Sequence, residues 1–297
     1  MTENEFLLVD RIQKIQQIIY QYGENNFVIS FSGGKDSTVL SELVDKAVPD
    51  NNIPRVYVNT GIELNAVYEF VKSKVEKDNR FIIIQPKVNI VNMLKEVGYL
   101  YKSKQHSYIL DLYQNNGKTI AVKNYLGESD KKWSRAKTCP KRLKYQFTDN
   151  FNLKVSDKCC VYLKEKPIQD WAKENNKQYH IVGIMRSEGG RRTNAQCLVY
   201  SGDKLVKFQP LAPMTKEWED WFIETYNIDI CALYKPPYNF TRTGCKGCPF
   251  NVELQQELDI LEKYFPTEKK QCELIWKPVY DEYRRTEFRL HDMFIVR

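Results

Sequence analysis

Phe27-Val28-Ile29-Ser30-Phe31-Ser32-Gly33-Gly34-Lys35-Asp36-Ser37-Thr38 is the stretch whose reading decides the fold. Its first five residues are a short apolar run of the kind a buried parallel strand shows. A Gly-Gly pair follows at once, and then Val39, Leu40, Leu43 and Val44 recur at helical spacing. A strand, a glycine turn and a helix in that order make a device for holding phosphate. The glycines let successive amide N–H groups face one anion, and the helix behind them presents unsatisfied N–H groups and a positive dipole end. Lys35 is expected to add a point charge, while Ser32, Ser37 and Thr38 offer hydroxyls. The lysine directly follows the paired glycines, so this is not the G-x-x-x-x-G-K-[ST] loop of ordinary NTPases.

The pattern continues on both sides. Phe6 to Tyr22 reads as an amphipathic helix stopped at Gly23. Arg55 to Asn59 reads as a second strand, closed by Thr60-Gly61 and followed by a helix from Asn65 to Lys77. Phe81 to Ile84 and Tyr179 to Gly183 read as third and fourth strands. Strands alternating with helices predict an α/β fold with a doubly wound, mostly parallel sheet. A polar, basic insertion, about 98–176, carries Lys102-Ser103-Lys104, Lys131-Lys132 and Lys141-Arg142. The expected organisation is an α/β nucleotide-binding domain over 1–235 containing that insertion. A C-terminal extension over 236–297 holds a C-x-x-C and helical patterning from Glu253.

The chain has 297 residues, 42% of them hydrophobic and 28% charged. No apolar run approaches the roughly 18 residues of a membrane span, and the acidic start Met1-Thr2-Glu3-Asn4-Glu5 is unlike a leader. A cytoplasmic location without membrane contact is the expectation. The net charge of +7 favours polyanionic ligands, whether nucleotide or nucleic acid.

In a reducing compartment the eight cysteines are expected to serve metal binding or catalysis rather than disulfides. Cys159-Cys160 and Cys245-x-x-Cys248 together supply four soft thiolates, suited to an iron–sulfur cluster or to tetrahedral zinc. Adjacent cysteines reach one zinc only with strain but can bind two irons of a cubane, so ligand chemistry favours the cluster. Cys139 sits among Lys137, Lys141, Arg142 and Lys144. Nearby positive charge is expected to lower its pKa, which suits nucleophilic or persulfide chemistry. The equal alternative is a cysteine incidental to a basic, anion-binding loop.

Ser32 to Thr38 resembles the PP-loop signature of the ATP pyrophosphatase superfamily, which includes sulfonucleotide reductases and the tRNA- and DNA-thiolating enzymes. Asn59-Thr60-Gly61-Ile62-Glu63 is similar to the D-T-G-x-E of sulfonucleotide reductases, with Asn for the leading Asp. Gly183-Ile184-Met185-Arg186-Ser187-Glu188, followed by Arg191-Arg192, resembles their G-x-R-x-x-E-S-x-x-R element at shifted spacing. Cys159-Cys160 with Lys164 and Pro167 resembles the C-C-x-x-R-K region of assimilatory adenylylsulfate reductases, which bind a 4Fe-4S cluster through such a pair and a distant C-x-x-C. Lys137 to Lys144 is similar to the C-T-x-x-L-K stretch of DNA phosphorothioation sulfurtransferases, with Pro140 where Thr is usual. Over most of 25–250 the chain resembles the phosphoadenosine phosphosulfate (PAPS) reductase-like family.

The resemblance implies a Rossmann-type fold like that of the adenine nucleotide alpha hydrolases, with a cluster-binding helical extension. It implies nucleotide contacts from Ser30, Ser32, Gly33, Gly34, Lys35, Asp36, Ser37, Thr38, Asn59, Thr60, Gly61, Glu63, Gly183, Arg186, Arg191 and Arg192. Lys35, Asp36 and Cys139 are the expected catalytic residues, and Cys159, Cys160, Cys245 and Cys248 the expected cluster ligands. The implied cofactors are the cluster, ATP (or adenylylsulfate or phosphoadenylylsulfate) and Mg2+. The E-C-G-x-H tail of sulfonucleotide reductases is not found, since no cysteine follows Cys272. The leading expectation is therefore an adenylating ATP pyrophosphatase that transfers sulfur to a DNA, RNA or nucleotide acceptor. It would draw on a sulfur or electron donor protein, and a homodimer is compatible with it. The alternatives are an adenylylsulfate or phosphoadenylylsulfate reductase releasing sulfite, and a non-catalytic nucleotide or redox sensor.

Overall fold

A computed structural model describes residues 1–129 and 138–291, and of Arg191 only the backbone. The expected basic residues Lys131, Lys132 and Lys137, and the Arg191 side chain, lie outside the described residues. The chain divides into two compact units, Met1–Pro86 with Lys164–Gly244, and Lys87–Leu163 with Cys245–Arg297. The second unit thus joins much of the basic insertion to the C-terminal helices.

Unit one contains β1 (Phe27–Phe31), β2 (Arg55–Val58), β3 (Phe81–Ile84), β4 (Tyr179–Ile181), β5 (Leu198–Ser201) and β6 (Lys204–Phe208). Its helices are α1 (Glu3–Tyr22), α2 (Lys35–Ala47), α3 (Asn65–Lys77), α7 (Lys166–Glu174) and α8 (Lys216–Thr225). The strand order is β3-β2-β1-β4-β6-β5, parallel throughout except for the antiparallel edge strand β5. The α/β, mostly parallel sheet expected from the sequence is therefore present.

Successive β1 side chains feed opposite faces, as the two-residue period of a strand requires. Phe27 and Ile29 pack with Ile15 and Ile18 of α1, Leu40 and Leu43 of α2, and Trp218 and Phe222 of α8. Phe31 meets Tyr57, Phe81 and Val71 of α3. Val28 turns the other way, to Val56, Val58 and Ile168 of α7. Burial on both faces explains the unbroken apolar run, each such side chain stabilising the fold by about 1.5–3 kcal/mol. Outside the core, α1 begins on a reciprocal cap in which Thr2 accepts from the Glu5 amide and the Glu5 carboxylate accepts from the Thr2 amide.

Unit two is helical: α4 (Ile90–Val97), α5 (Lys104–Asn116), α6 (Ile120–Leu126), α9 (Leu254–Tyr264), α10 (Pro266–Ile275) and α11 (Lys277–Arg285). Asn89, Ser103 and Thr119 cap the first three through their side chains. A parallel bridge pairs Tyr99 with Val155 just before the Cys159-Cys160 segment. Among the described residues no helix is long and apolar enough to cross a membrane.

Candidate functional site

The strand order reverses between β1 and β4, and an open parallel sheet binds ligands outside the carboxyl ends of its strands at such a point. The phosphate loop leaves β1 there. Gly33 has φ +71, and a Cβ at that position would stand 2.7 Å from Val71 and 2.8 Å from Val67, so the turn demands glycine. Gly34 then caps α2 through its backbone, without a side-chain bond. Gly183, beyond β4, lets the backbones approach closely: a Cβ there would lie 3.0 Å from the Asp36 carbonyl oxygen.

Hydroxyls hold the loop amides. The Ser32 amide donates to Ser37 Oγ at 3.1 Å, the Gly34 amide to Ser32 Oγ at 3.3 Å, and the Lys35 amide to the Tyr234 hydroxyl at 3.1 Å. Ser37 and Thr38 donate back to the Gly34 carbonyl, and Ser30 sits half-buried within β1 itself. Tyr234, which bonds Thr243 at 2.6 Å, was not legible as a loop residue, because it comes 199 positions after Lys35.

Lys35 has two acidic partners that its local sequence does not show. Its ammonium is 2.7 Å from Asp220 and 3.1 Å from Glu219, both on α8, and the side chain is 10% exposed. Burial alone would lower this group, but Asp220 and Glu219 together raise it. Asp36 is pushed up by burial and then by the Glu188 charge. Glu219 is pushed up to about 8 by burial and then by Asp36. Burial thus raises both Asp36 and Glu219 beside the loop, with the Glu188 charge adding to the rise of Asp36 and Asp36 to that of Glu219. Glu219 and Asp220 gave no motif signal, and only their return to the loop on α8 reveals them.

The turn after β2 is bonded within itself. Glu63 accepts from the Thr60 amide at 3.1 Å and from its hydroxyl at 2.8 Å, and pairs with Lys164 at 3.2 Å. Asn59 accepts from the Gly61 amide at 3.0 Å. After β4, Arg192 pairs with Glu188, while Arg186 donates to the Ala195 carbonyl at 2.6 Å and stays exposed. These groups leave β1, β2 and β4 at one end of the sheet.

The paired cysteines belong to unit two. Cys159 and Cys160 open a helical segment that continues as a π-turn over Val161–Glu165, a form often found at functional sites. Cys245 and Cys248 flank a turn in which the Cys248 amide donates to the Cys245 carbonyl at 3.2 Å, with Gly247 at φ +59. Helices clamp this turn. The Gly247 amide donates to Glu257 at 2.8 Å, Tyr280 donates to the Gly247 carbonyl, and the Trp276 indole donates to the Lys246 carbonyl at 3.1 Å. Lys246 pairs, buried, with Glu268 at 3.2 Å. Burial raises the Cys248 thiol, and the charges of Cys245 and Cys160 raise it further. Three sulfurs from the two segments thus lie within electrostatic reach, a soft donor set of the kind an iron–sulfur cluster takes. Among the described residues, however, no three His, Cys, Asp or Glu side chains are grouped as metal ligands. None of the eight cysteines forms a disulfide.

Cys139 also lies in unit two, and its electrostatics run opposite to expectation. Burial pushes the thiol up to about 12, although Lys102 and Lys144 pull it down. The cations are present, but desolvation outweighs them.

The sequence profile of the phosphoadenosine phosphosulfate reductase domain matches residues 26–134 and 119–251. An uncharacterized protein of Methanocaldococcus jannaschii is 32% identical over 289 residues, which are 92% of this chain and 56% of the relative. The chain therefore spans little more than half of that relative's length. Among solved structures, the phosphoadenylyl-sulfate reductase of Candida auris is similar at 13% identity and TM-score 0.41, over 78% of this chain and 91% of that one. The U34-tRNA thiolase NcsA of Methanococcus maripaludis, solved with its 4Fe-4S cluster, is similar at 16% identity and TM-score 0.42, over 96% of this chain and 80% of that one. The matched span takes in the phosphate loop, the turns after β2 and β4 and both cysteine pairs, and the chain belongs to the phosphoadenosine phosphosulfate reductase domain family, named for an enzyme that acts on an adenine nucleotide.

Proposed function

We propose that this chain is an adenylating ATP pyrophosphatase that transfers sulfur to a nucleic acid or nucleotide. The observation that carries the reading is the set of carboxylates, Asp36, Glu188 and Glu219, beside a phosphate loop. Carboxylates at the edge of the loop match a triphosphate that arrives with Mg2+ better than a bare sulfate ester or phosphate. Asp36 and Glu188 are the residues that would hold Mg2+, which offsets phosphate charge when bound. One or two carboxylates plus phosphate oxygens is the usual donor set for that ion.

The chain's own residues then have definite tasks. The loop amides exchange their hydroxyl acceptors for the β- and γ-phosphate oxygens, while the α2 N-terminus faces the charge. The turn from Asn59 to Glu63 and the segment from Gly183 to Arg192 border the nucleotide. A substrate oxygen attacks the α-phosphate, pyrophosphate leaves, and the adenylated position is open to displacement by sulfur with loss of AMP. Cys139 is the proposed sulfur carrier, and Lys102 and Lys144 partly oppose the burial that holds its thiol protonated. Cys159, Cys160, Cys245 and Cys248 would hold a 4Fe-4S cluster, whose chemistry is to supply electrons or sulfide.

Pyrophosphate release from Mg·ATP, assayed anaerobically with DNA, RNA and nucleotide acceptors, tests the reading. Asp36→Asn should lose at least about a hundredfold, and Cys139→Ser should keep pyrophosphate release but lose sulfur transfer. No pyrophosphate with any acceptor sinks it. The family match favours a second reading, reduction of adenylylsulfate or phosphoadenylylsulfate, for which sulfite release is the assay.

A further inference from the structure

Unit two holds positive charge that the phosphate loop does not use. Lys87–Leu163 carries 15 lysines and arginines against six aspartates and glutamates. Lys102 and Lys144 lie within electrostatic reach of Cys139, and Arg289, beyond the last helix, within reach of Lys102. Lys144 donates to the Leu126 carbonyl at 2.6 Å, Arg142 to the Glu287 carbonyl at 3.0 Å, and Arg289 to the Pro249 carbonyl. Among the described residues, no carboxylate pairs with Lys102, Arg142, Lys144 or Arg289. Elsewhere in the same unit Lys118, Lys158, Lys246, Arg284 and Arg285 all have acidic partners.

A hydrogen-bond relay fixes two of these cations together. The Lys102 amide donates to the Tyr283 hydroxyl at 2.8 Å, and Tyr283 donates to the Pro249 carbonyl at 2.8 Å, the same oxygen that Arg289 uses. Lys102 has φ +58 and Arg289 φ +66, a left-handed backbone that is costly for long side chains and tends to be kept where function requires it. Burial and the Arg289 charge both lower Lys102, and the same two cations help hold buried His106 neutral, after the larger effect of burial. His106 meanwhile bonds Tyr125 at 2.9 Å and Gln146 at 2.7 Å, a rigid neutral wall. The amide of Cys139 donates to the carbonyl of that same Tyr125 at 2.8 Å. Like-charged groups without carboxylates, Lys102 and Arg289 half-buried among them, are unfavourable alone and are matched by an anion that pairs with all of them.

We propose that Lys102, Lys144 and Arg289 form an oxyanion subsite beside Cys139, shaped for a tetrahedral phosphoryl or sulfuryl group. Arg142 stands at its rim. The subsite goes beyond the adenylation reading and stands without it, because its binding needs no nucleotide at the loop of unit one. The group could come from a polynucleotide phosphodiester or from a small sulfo or phospho compound, and the two sources are separable.

The full chain is titrated calorimetrically at low salt with inorganic sulfate and, separately, with a short single-stranded oligonucleotide. The phosphate loop contributes equally to wild type and variants, so their difference reads the subsite. Lys102→Gln and Arg289→Gln should each weaken binding about tenfold, with Lys102→Arg largely restoring it. Lys95→Gln, an exposed lysine of α4, should change nothing. Loss in both arms assigns the phosphodiester, and loss for sulfate alone assigns a small sulfuryl or phosphoryl ligand. Folded Lys102→Gln and Arg289→Gln proteins that bind both probes like wild type overturn the proposal. Should either variant fail to fold, Lys144→Gln, on an exposed side chain, is held to the same criterion.

Discussion

Glu219 is the residue whose environment has the clearest measurable consequence. Its carboxyl ordinarily titrates near 4.5 but is pushed up to about 8 in the folded chain, first by burial and then by Asp36. The native state therefore keeps a proton that the unfolded chain releases between those values. Its contribution to stability is complete below about 4.5 and drains away as pH rises through about 8. Urea unfolding from pH 5 to 9 should show that decline, and Glu219→Gln should flatten it. An unchanged slope in the variant would mean that Glu219 is ionised throughout. Gly33 makes the second prediction at this scale. With φ +71 and Val71 2.7 Å from a new Cβ, Gly33→Ala should cost about 2–4 kcal/mol in thermal or urea unfolding and abolish nucleotide binding. Both residues lie in or against the loop, yet only the glycine was legible, because its requirement is local.

At the scale of elements, the N-terminus of α2 is the part most dependent on a distant partner. It has no side-chain cap of its own, and the Tyr234 hydroxyl accepts from the Lys35 amide instead. Tyr234→Phe should cost about 1–2 kcal/mol and weaken ATP binding, read by urea unfolding and by calorimetry. ATP affinity equal to wild type would remove Tyr234 from the site. The first three helices and first four strands were readable because buried elements impose their period on apolar residues. β5 and β6 were not. They form an edge hairpin, with β5 largely exposed, so apolar alternation is weak there. The Gly202-Asp203 turn between Leu198-Val199-Tyr200 and Leu205-Val206 was the available signal, with Gly202 at φ +59.

At the scale of the whole molecule, the phosphate loop and the paired cysteines fall in different compact units. Hydrogen exchange with and without Mg·ATP should therefore show protection over 32–38, 59–63 and 183–192 of unit one, with little change in the Cys245–Cys248 turn. Protection confined to unit two would place the nucleotide elsewhere. Saturation at about 100 times Kd should also stabilise the unit that binds by about 2.7 kcal/mol. The net charge of +7 suggested a polyanion partner, and the basic insertion that carries the excess falls largely in unit two.

The sheet and the PP-loop were readable along the chain, since glycine requirements and strand burial are properties of neighbouring residues. Tertiary structure decided what the charges do. Lys35 reads from its spacing as a free cation on the loop, and the fold adds a partner, Asp220, 185 positions away. Cys139 reads as an activated thiol until burial pushes it up to about 12 despite two lysines. Desolvation and pairing depend on which distant groups the fold brings together, and local spacing does not encode them.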